Sequence, residues 1–338
     1  MQKSLLILLF FGIVLCGKVV GKLKIVCNEK NKVKTCRADD ILMSVETKVS
    51  NAELSEPTVS VILAGAFEEC AELTVLRLNL RKGPIILSKN PFKGLSWLSE
   101  IYFGDSLVTL YDDTFQSKLN LKIIKMRLCE FTTELANKFD NLHYLKELRI
   151  KNGHLENIKA HTFNSNKNYM EILELSPCSI FSIEANAFAA LIHLVTLDLS
   201  NNTLMRITPD TFKGLSKLKT LNLTNNNLYT IGVTAFNGLI ELVTFDISYN
   251  DLIEIASTAF HNLKIGDFML NKNRFKKIAK GLFNYPNSNM SQNIYLQNNF
   301  IDKIEDGAFA LSKKEILNIY KNPLVLTNRK VLQELKKL

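Results

Sequence analysis

The sequence lacks the motifs that mark the common enzyme classes. It contains no HExxH zinc motif, no P-loop, no glycine-rich dinucleotide turn and no G-x-S-x-G nucleophile elbow. The 5 histidines of the 338-residue chain form no recognisable constellation; they are His143, His154, His161, His193 and His261. We therefore expect a protein that is not an enzyme, with no catalytic residue, metal site or cofactor.

Dense runs of positive charge are also missing. The formal net charge is +9, and it falls to +7 without the first 21 residues, which contain Lys3, Lys18 and no acid. No basic run has aromatic residues interleaved with it, so we expect no nucleic-acid partner. The modest surplus suits an acidic glycan, although a solvated basic surface without a special partner is the simpler interpretation.

Long apolar runs are absent after the N-terminus. The run over residues 5–16 follows Lys3 and precedes the small residues Gly17 and Gly21, which is the order of a secretory signal peptide over residues 1–21. No later stretch approaches the roughly 20 apolar residues of a membrane helix. We expect a secreted, extracellular protein without a membrane span; a lipid anchor on Cys16 is the weaker alternative.

What the sequence does contain is a repeat. Between residues 194 and 260 the pattern L-x-x-L-x-L-x-x-N-x-L-x-x-I-x-x-x-x-F occurs three times at a 24-residue step, with Phe245 and Ile247 replacing two leucines. Alternating residues such as Leu221 and Leu223 predict a short strand whose other side chains, such as Asn222, point outward. Because one copy cannot bury its own apolar face, the copies must stack.

Two positions of the pattern can be followed along the chain. The phenylalanine recurs at steps of 23 to 26 residues and predicts a buried spine of about eleven coils: Phe67, Phe92, Phe115, Phe139, Phe163, Phe188, Phe212, Phe236, Phe260, Phe283 and Phe309. The asparagine, whose amide can bond to buried backbone groups, recurs at Asn202, Asn226, Asn250, Asn273, Asn299 and Asn322. Earlier copies have Arg81, Ser106, Cys129, Gly153 and Cys178 at that position.

The cysteines divide into two groups. Cys27 and Cys36 precede the repeats, and in an oxidising compartment we expect them to pair and close a small N-terminal cap. Cys129 and Cys178 lie two coils apart, roughly 9–10 Å, which is too far for a disulfide. With Cys70 they are expected to be buried thiols; an intermolecular disulfide is the alternative.

The outward strand positions are the candidate ligand-binding residues. They change from basic to acidic along the chain, and they are Arg77, Tyr102, Lys125, Arg127, Arg149, Lys151, Glu174, Asp198 and Asp246. Such a graded face would suit binding of a large ligand; the alternative is that these are ordinary solvated positions. Three sequons predict N-linked glycans at Asn201, Asn222 and Asn289. A glycan on Asn222 would favour a ligand nearer the N-terminal strands.

Together the repeats, the signal segment, the Cys27/Cys36 pair and the closing Asn322-Pro323-Leu324 resemble the extracellular leucine-rich repeat family. The style is similar to insect secreted members such as the mosquito leucine-rich immune proteins and, more distantly, to Toll-type receptor ectodomains. The chain departs from them because it has no cysteine after Cys178.

The resemblance implies an α/β solenoid, a right-handed horseshoe with a parallel sheet on its concave face and few helices on its convex face. We expect a signal peptide (1–21), a cap and degenerate leading segment (22–66), the repeats (67–326) and a capping helix (327–338). The implied function is recognition of a protein, microbial or cell-surface ligand by the concave face, in innate immunity; the alternative is a matrix or cell-adhesion role.

Overall fold

The computed structural model describes residues 25–80, 83–115, 120–131, 136–139, 142–164, 169–260, 263, 265–283, 293–309 and 316–323. The predicted signal peptide, the predicted capping helix and the sequon at Asn289 lie outside these residues. The described residues form strands β1 (Ile25–Lys30), β2 (Val33–Ala38), β3 (Ile41–Thr47), β4 (Asn51–Leu54), β5 (Val61–Ile62), β6 (Val75–Leu78), β7 (Pro84–Leu87), β8 (Glu100–Leu110), β9 (Ile123–Phe131), β10 (Glu147–Ile150), β11 (Asn157–Ile158), β12 (Ile172–Leu175), β13 (Ser182–Ile183), β14 (Thr196–Asp198), β15 (Arg206–Ile207), β16 (Thr220–Asn222), β17 (Thr230–Ile231), β18 (Thr244–Asp246), β19 (Asp267–Met269), β20 (Lys277–Ile278), β21 (Asn293–Tyr295), β22 (Lys303–Ile304) and β23 (Ile316–Asn318), and a short helix α1 (Ala136–Phe139).

Each repeat contributes one strand to a long parallel sheet. From β4 the sheet runs through β6, β8, β9, β10, β12, β14, β16, β18, β19 and β21 to β23, every neighbouring pair being parallel. Shorter strands after several of the turns form further parallel pairs, such as β15 with β17. The result is a solenoid of about ten turns with essentially no helix, which confirms the predicted fold.

The N-terminal end of the solenoid is covered by antiparallel strands. β1 pairs with β2 and β2 with β3, and β3 pairs in turn with β5, so the antiparallel strands continue the row of shorter strands that begins with β3 and β5. The disulfide between Cys27 and Cys36 joins β1 to β2 at directly opposed residues. Parallel pairing begins at once, because β3 pairs with β5 and β4 with β6.

The core is built from stacked phenylalanines. All eleven spine residues are buried, as predicted, and consecutive rings are in contact along most of the spine; Phe188 and Phe212, for example, have centroids 6.3 Å apart. Phe245 and Phe268, which replace strand leucines, pack edge-on against Phe260 at 5.8 and 5.2 Å. Offset and edge contacts of this kind are the favoured arrangements of aromatic rings.

The buried asparagines form the predicted ladder. Asn226 Oδ1 accepts the Leu204 N–H at 3.0 Å, and its Nδ2 donates to the carbonyls of Leu199 and Leu223 at 3.0 and 3.1 Å. The same three kinds of bond recur in Asn202, Asn250, Asn273, Asn299 and Asn322. Each amide therefore links its own turn to the preceding coil.

The cysteine positions of the ladder surround a glycine. Cys129 and Cys178 are buried thiols outside any disulfide, as expected, and Gly153 lies between them. A Cβ on Gly153 would be 3.1 Å from Ile150 Cγ2, 3.3 Å from the Cys129 sulfur and 3.4 Å from the Cys178 sulfur. A side chain at position 153 would therefore press first on Ile150 and the Cys129 thiol.

Candidate ligand-binding face

The structure brings most of the predicted binding residues into one row. Because neighbouring strands are parallel and in register, equivalent outward side chains lie side by side across eight strands. We call this set the concave row; it consists of Arg77, Tyr102, Lys125, Arg149, Glu174, Asp198, Asn222 and Asp246. Arg127 and Lys151 lie two residues further along their chain, beside the row.

Two carboxylates connect the basic side chains. Glu147 Oε1 accepts from Lys125 Nζ at 2.8 Å and from Arg149 Nε at 2.5 Å. Glu174 accepts from Arg149 Nη1 at 2.5 Å and from Lys151 Nζ at 2.8 Å. The side chains of Glu147 and Glu174 are only 15% and 9% exposed, so the two carboxylates are held in place and each anchors two more exposed basic side chains.

The carboxylates are ionised over a wide pH range. Burial alone would raise the pKa of Glu174, but hydrogen bonds from Lys151 and Arg149 outweigh it and hold that pKa below its usual value. Burial would also raise the pKa of Glu147, but hydrogen bonds from Lys125 and Arg149 outweigh it and lower that pKa. The pairs therefore stay charged at physiological pH.

The network changes the predicted charge of this face. Glu147 lies two residues before Arg149 on the same outward side of β10, and Glu100 has the same relation to Tyr102 on β8. Arg127 Nη1 contacts Asp105 Oδ1 at 2.6 Å. The early strands are therefore charge-balanced rather than basic. The period-two alternation that predicted Arg149 would also have found Glu100 and Glu147.

Tyr102 is the aromatic centre of the early strands. The Arg77 guanidinium carbon lies 4.8 Å and the Lys125 Nζ 5.6 Å from its ring centroid, which are cation–π distances. Its hydroxyl donates to Glu100 Oε2 at 2.7 Å. Burial, followed by this hydrogen bond, raises the pKa of Tyr102 to about 12, so the ring carries a neutral hydroxyl.

The later residues of the row have a structural task as well. Asp198 Oδ1 accepts the Ser200 N–H at 2.8 Å, and Asp246 Oδ1 accepts the Ser248 N–H at 2.9 Å. Asn222 makes the equivalent bond to Thr224 at 3.0 Å. These side chains fasten the turn that follows their strand, as Asp and Asn often do, and are less free to bind a ligand.

The other predicted sites show no reactive group. Burial raises the pKa of the Cys70 thiol to about 11 and of the Cys178 thiol to about 12, so both are inert at neutral pH. The Asn201 amide is exposed and contacts Asn225 at 2.8 Å.

Among the described residues, no group of three or more His, Cys, Asp or Glu could hold a metal ion, and no helix is long and apolar enough to cross a membrane.

Comparison with protein families gives matches over most of the chain. The family model described as "BspA type Leucine rich repeat region (6 copies)" matches residues 45–169 and 206–329. A second model, "Leucine rich repeat", matches residues 168–228. No curated protein sequence is significantly similar to the chain.

Solved structures share the architecture. A chain of the Drosophila Toll–Spatzle complex is 14% identical, with a TM-score of 0.60 over 92% of this chain and 56% of that chain. A chain of the TLR13–ssRNA13 complex is 20% identical, with a TM-score of 0.62 over 79% of this chain and 39% of that chain. A chain of the octameric complex of Latrophilin 3, Unc5D and FLRT2 is 19% identical, with a TM-score of 0.53 over 93% of this chain and 81% of that chain. At these identities the likeness shows the fold, and the chain spans about half or less of the first two structures.

Proposed function

The chain belongs to the leucine-rich repeat family, and on this premise we propose that it is a secreted, non-catalytic binding protein that recognises a protein ligand through the concave row. We place this recognition in innate immunity. A fold by itself does not specify a function. We therefore also propose that the residues of the concave row are the ones that contact the ligand.

The main support for this function is the register of the concave row. Polar side chains of eight strands lie side by side, and the Lys125–Glu147–Arg149–Glu174–Lys151 network holds the central ones in place. A surface fixed before binding loses little side-chain entropy when a ligand arrives. Extended concave faces of this kind are the usual binding surfaces of solenoids.

Charge balance favours a protein over a polyanion. Each basic side chain of the central strands has an acidic neighbour, so an acidic glycan or a nucleic acid would have to displace an existing ion pair at each contact. A protein ligand with both signs of charge could match the alternation without that cost. Among the structural neighbours, Toll is in complex with Spatzle, whereas TLR13 is in complex with ssRNA; the balanced row supports the first kind of partner here.

The immune assignment rests on family likeness to Toll-type ectodomains. The second candidate, an adhesion or matrix role, is favoured by the likeness to a chain of the octameric complex of Latrophilin 3, Unc5D and FLRT2. The two candidates share the same concave site and differ in where the ligand resides.

A paired-variant capture experiment tests the site. The change Arg77→Ala with Tyr102→Ala removes a cation–π pair from the concave row. The matched control, Tyr249→Ala with Lys272→Ala, removes a similar pair, 4.3 Å apart, from a turn outside the row. Each immobilised chain is exposed to extracellular fluid of the source, and captured proteins are quantified by mass spectrometry.

We expect a soluble protein that is captured by the parent and control chains and lost from the concave variant. Equal capture by all three chains would contradict the concave site. Loss of capture only from the control chain would instead place the binding site at the turns that contain Tyr249 and Lys272. Capture of tissue-bound material alone, released by salt, would favour the matrix role.

A further inference from the structure

An apolar ridge lies on the flank of the solenoid, away from the concave row. Its four members occupy the same position in four successive coils, directly after a buried residue of the repeat. The ridge consists of Phe181, Met205, Tyr229 and Ile253. These side chains are between 49% and 53% exposed, although every equivalent residue could be polar without loss to the core.

The ridge is continuous because the coils are bonded to one another there. The Phe181 N–H donates to the Glu156 carbonyl at 2.8 Å, and the Tyr229 N–H donates to the Met205 carbonyl at 3.1 Å. With successive coils roughly 4.8 Å apart, the four side chains span about 14 Å. Half-exposed side chains of this size leave roughly 400 Å² of apolar surface, which is the size of the largest apolar patch on a typical monomer, and such a patch is often functional.

Residues of opposite charge lie at the two ends of the ridge. Glu156 occupies the equivalent position in the preceding coil and Lys276 in the following coil. Both are exposed, and neither has an ion-pair partner within the described part of the chain. The position therefore reads acid, four apolar residues, base along six successive coils.

We propose that the ridge binds a second copy of this chain in an antiparallel, two-fold symmetric dimer. The two-fold axis lies in the interface and runs perpendicular to the ridge. Rotation about it places Phe181 against Ile253 of the other copy and Met205 against Tyr229. The same rotation places Glu156 opposite Lys276 at both ends, so the order of residues is complementary to itself. A parallel dimer would instead oppose Glu156 with Glu156 and Lys276 with Lys276.

The neighbouring positions and the buried area agree with this arrangement. One residue further along, the rotation opposes Ser182 with Glu254 and Arg206 with Thr230, so no like charges meet. Two ridges remove roughly 800 Å² from water, which leaves about 400 Å² for the flanking residues of both copies to contribute toward the about 1,200 Å² of a stable interface.

Disulfide trapping tests the orientation. In one chain, positions 181 and 253 are about 14 Å apart, too far for a bond. We expect a mixture of Phe181→Cys chains and Ile253→Cys chains to give a linked dimer containing one of each, while neither variant links to itself. Self-linking of the Phe181→Cys chain, or no linking in the mixture, would overturn the antiparallel dimer.

Sedimentation velocity tests the interface without new cysteines. Met205→Asp should raise the dimer dissociation constant at least tenfold, while Ile240→Asp, at a residue of similar exposure outside the ridge, should leave it unchanged. Glu156→Lys and Lys276→Glu should each weaken the dimer, and the double exchange should restore it. A parent chain that stays monomeric at high concentration, or a double exchange that does not rescue, would refute the proposal.

Discussion

Replacing Asn226 by Ala tests the internal ladder that holds the coils together. The amide is buried, and it satisfies one N–H and two carbonyls of the backbone through the bonds described above. The change removes these bonds, together with a longer one of 3.4 Å to the Thr224 carbonyl, without altering a strand residue or a spine phenylalanine. It therefore isolates the contribution of one step of the ladder.

The three bonds do not contribute equally. The Leu199 carbonyl also accepts from Asn202 at 2.9 Å, and the Leu223 carbonyl also accepts from Asn250 at 3.0 Å. Each carbonyl therefore keeps one partner, whereas the Leu204 N–H is left buried without an acceptor. An orphaned buried donor costs about 1–3 kcal/mol and each lost but replaceable bond less, so we expect a total loss of about 2–4 kcal/mol.

Urea unfolding followed by circular dichroism measures this loss. The matched control is Asn227→Ala, an exposed neighbour of the same type, for which we expect a change within about 0.5 kcal/mol. The slope of the transition should be equal in both variants, since the surface exposed on unfolding is unchanged. If Asn226→Ala is no less stable than Asn227→Ala, the ladder does not stabilise the solenoid as described.

Three further predictions follow from the core and the network. Phe212→Ala should lower the free energy of unfolding by about 3–5 kcal/mol, whereas Phe300→Ala, exposed at the surface, should change it little; equal losses would contradict the spine. Because the folded pKa of Glu174 is lowered from 4.5, its stabilisation is complete above that pH and is lost as the pH falls through the folded value. The deficit of Glu174→Gln should therefore be constant near pH 7 and shrink below about pH 4.5, and a deficit independent of pH would contradict the ion pairs. The Cys178 thiol, whose pKa burial raises to about 12, should not react with Ellman's reagent at pH 8 until the chain is unfolded; rapid reaction of the folded protein would show that it is not buried.

Periodicity explains how much of the architecture could be predicted from the sequence. A 24-residue step fixes which residues face the core, so it located Phe212 in the spine and Asn226 in the ladder. It also placed Arg149 and Glu174 outward, because strand side chains alternate. The same alternation determines register between coils, which is why the predicted residues lie in one row.

What periodicity does not determine is how outward side chains pair. The bonds of Arg149 to two carboxylates depend on side-chain conformations across adjacent coils, and those are not written in a single repeat. Asp198 and Asp246 lie in the concave row, where they remain predicted ligand contacts, and each also accepts a bond from the turn that follows, which periodicity alone does not show. The ridge residues Phe181 and Met205 occupy a variable position of the repeat, so only their exposure in the structure distinguishes them.

If the concave row binds the ligand, the affinity for a partner must depend on Arg77 and Tyr102. The direct measurement is the affinity of the captured partner for the Arg77→Ala, Tyr102→Ala chain and for the Tyr249→Ala, Lys272→Ala control, by surface plasmon resonance. Because arginine and tyrosine dominate binding hot spots, we predict a dissociation constant at least about 30-fold higher for the concave variant. The control should remain within about twofold of the parent chain. Equal affinity of both variants for the partner would contradict the concave site.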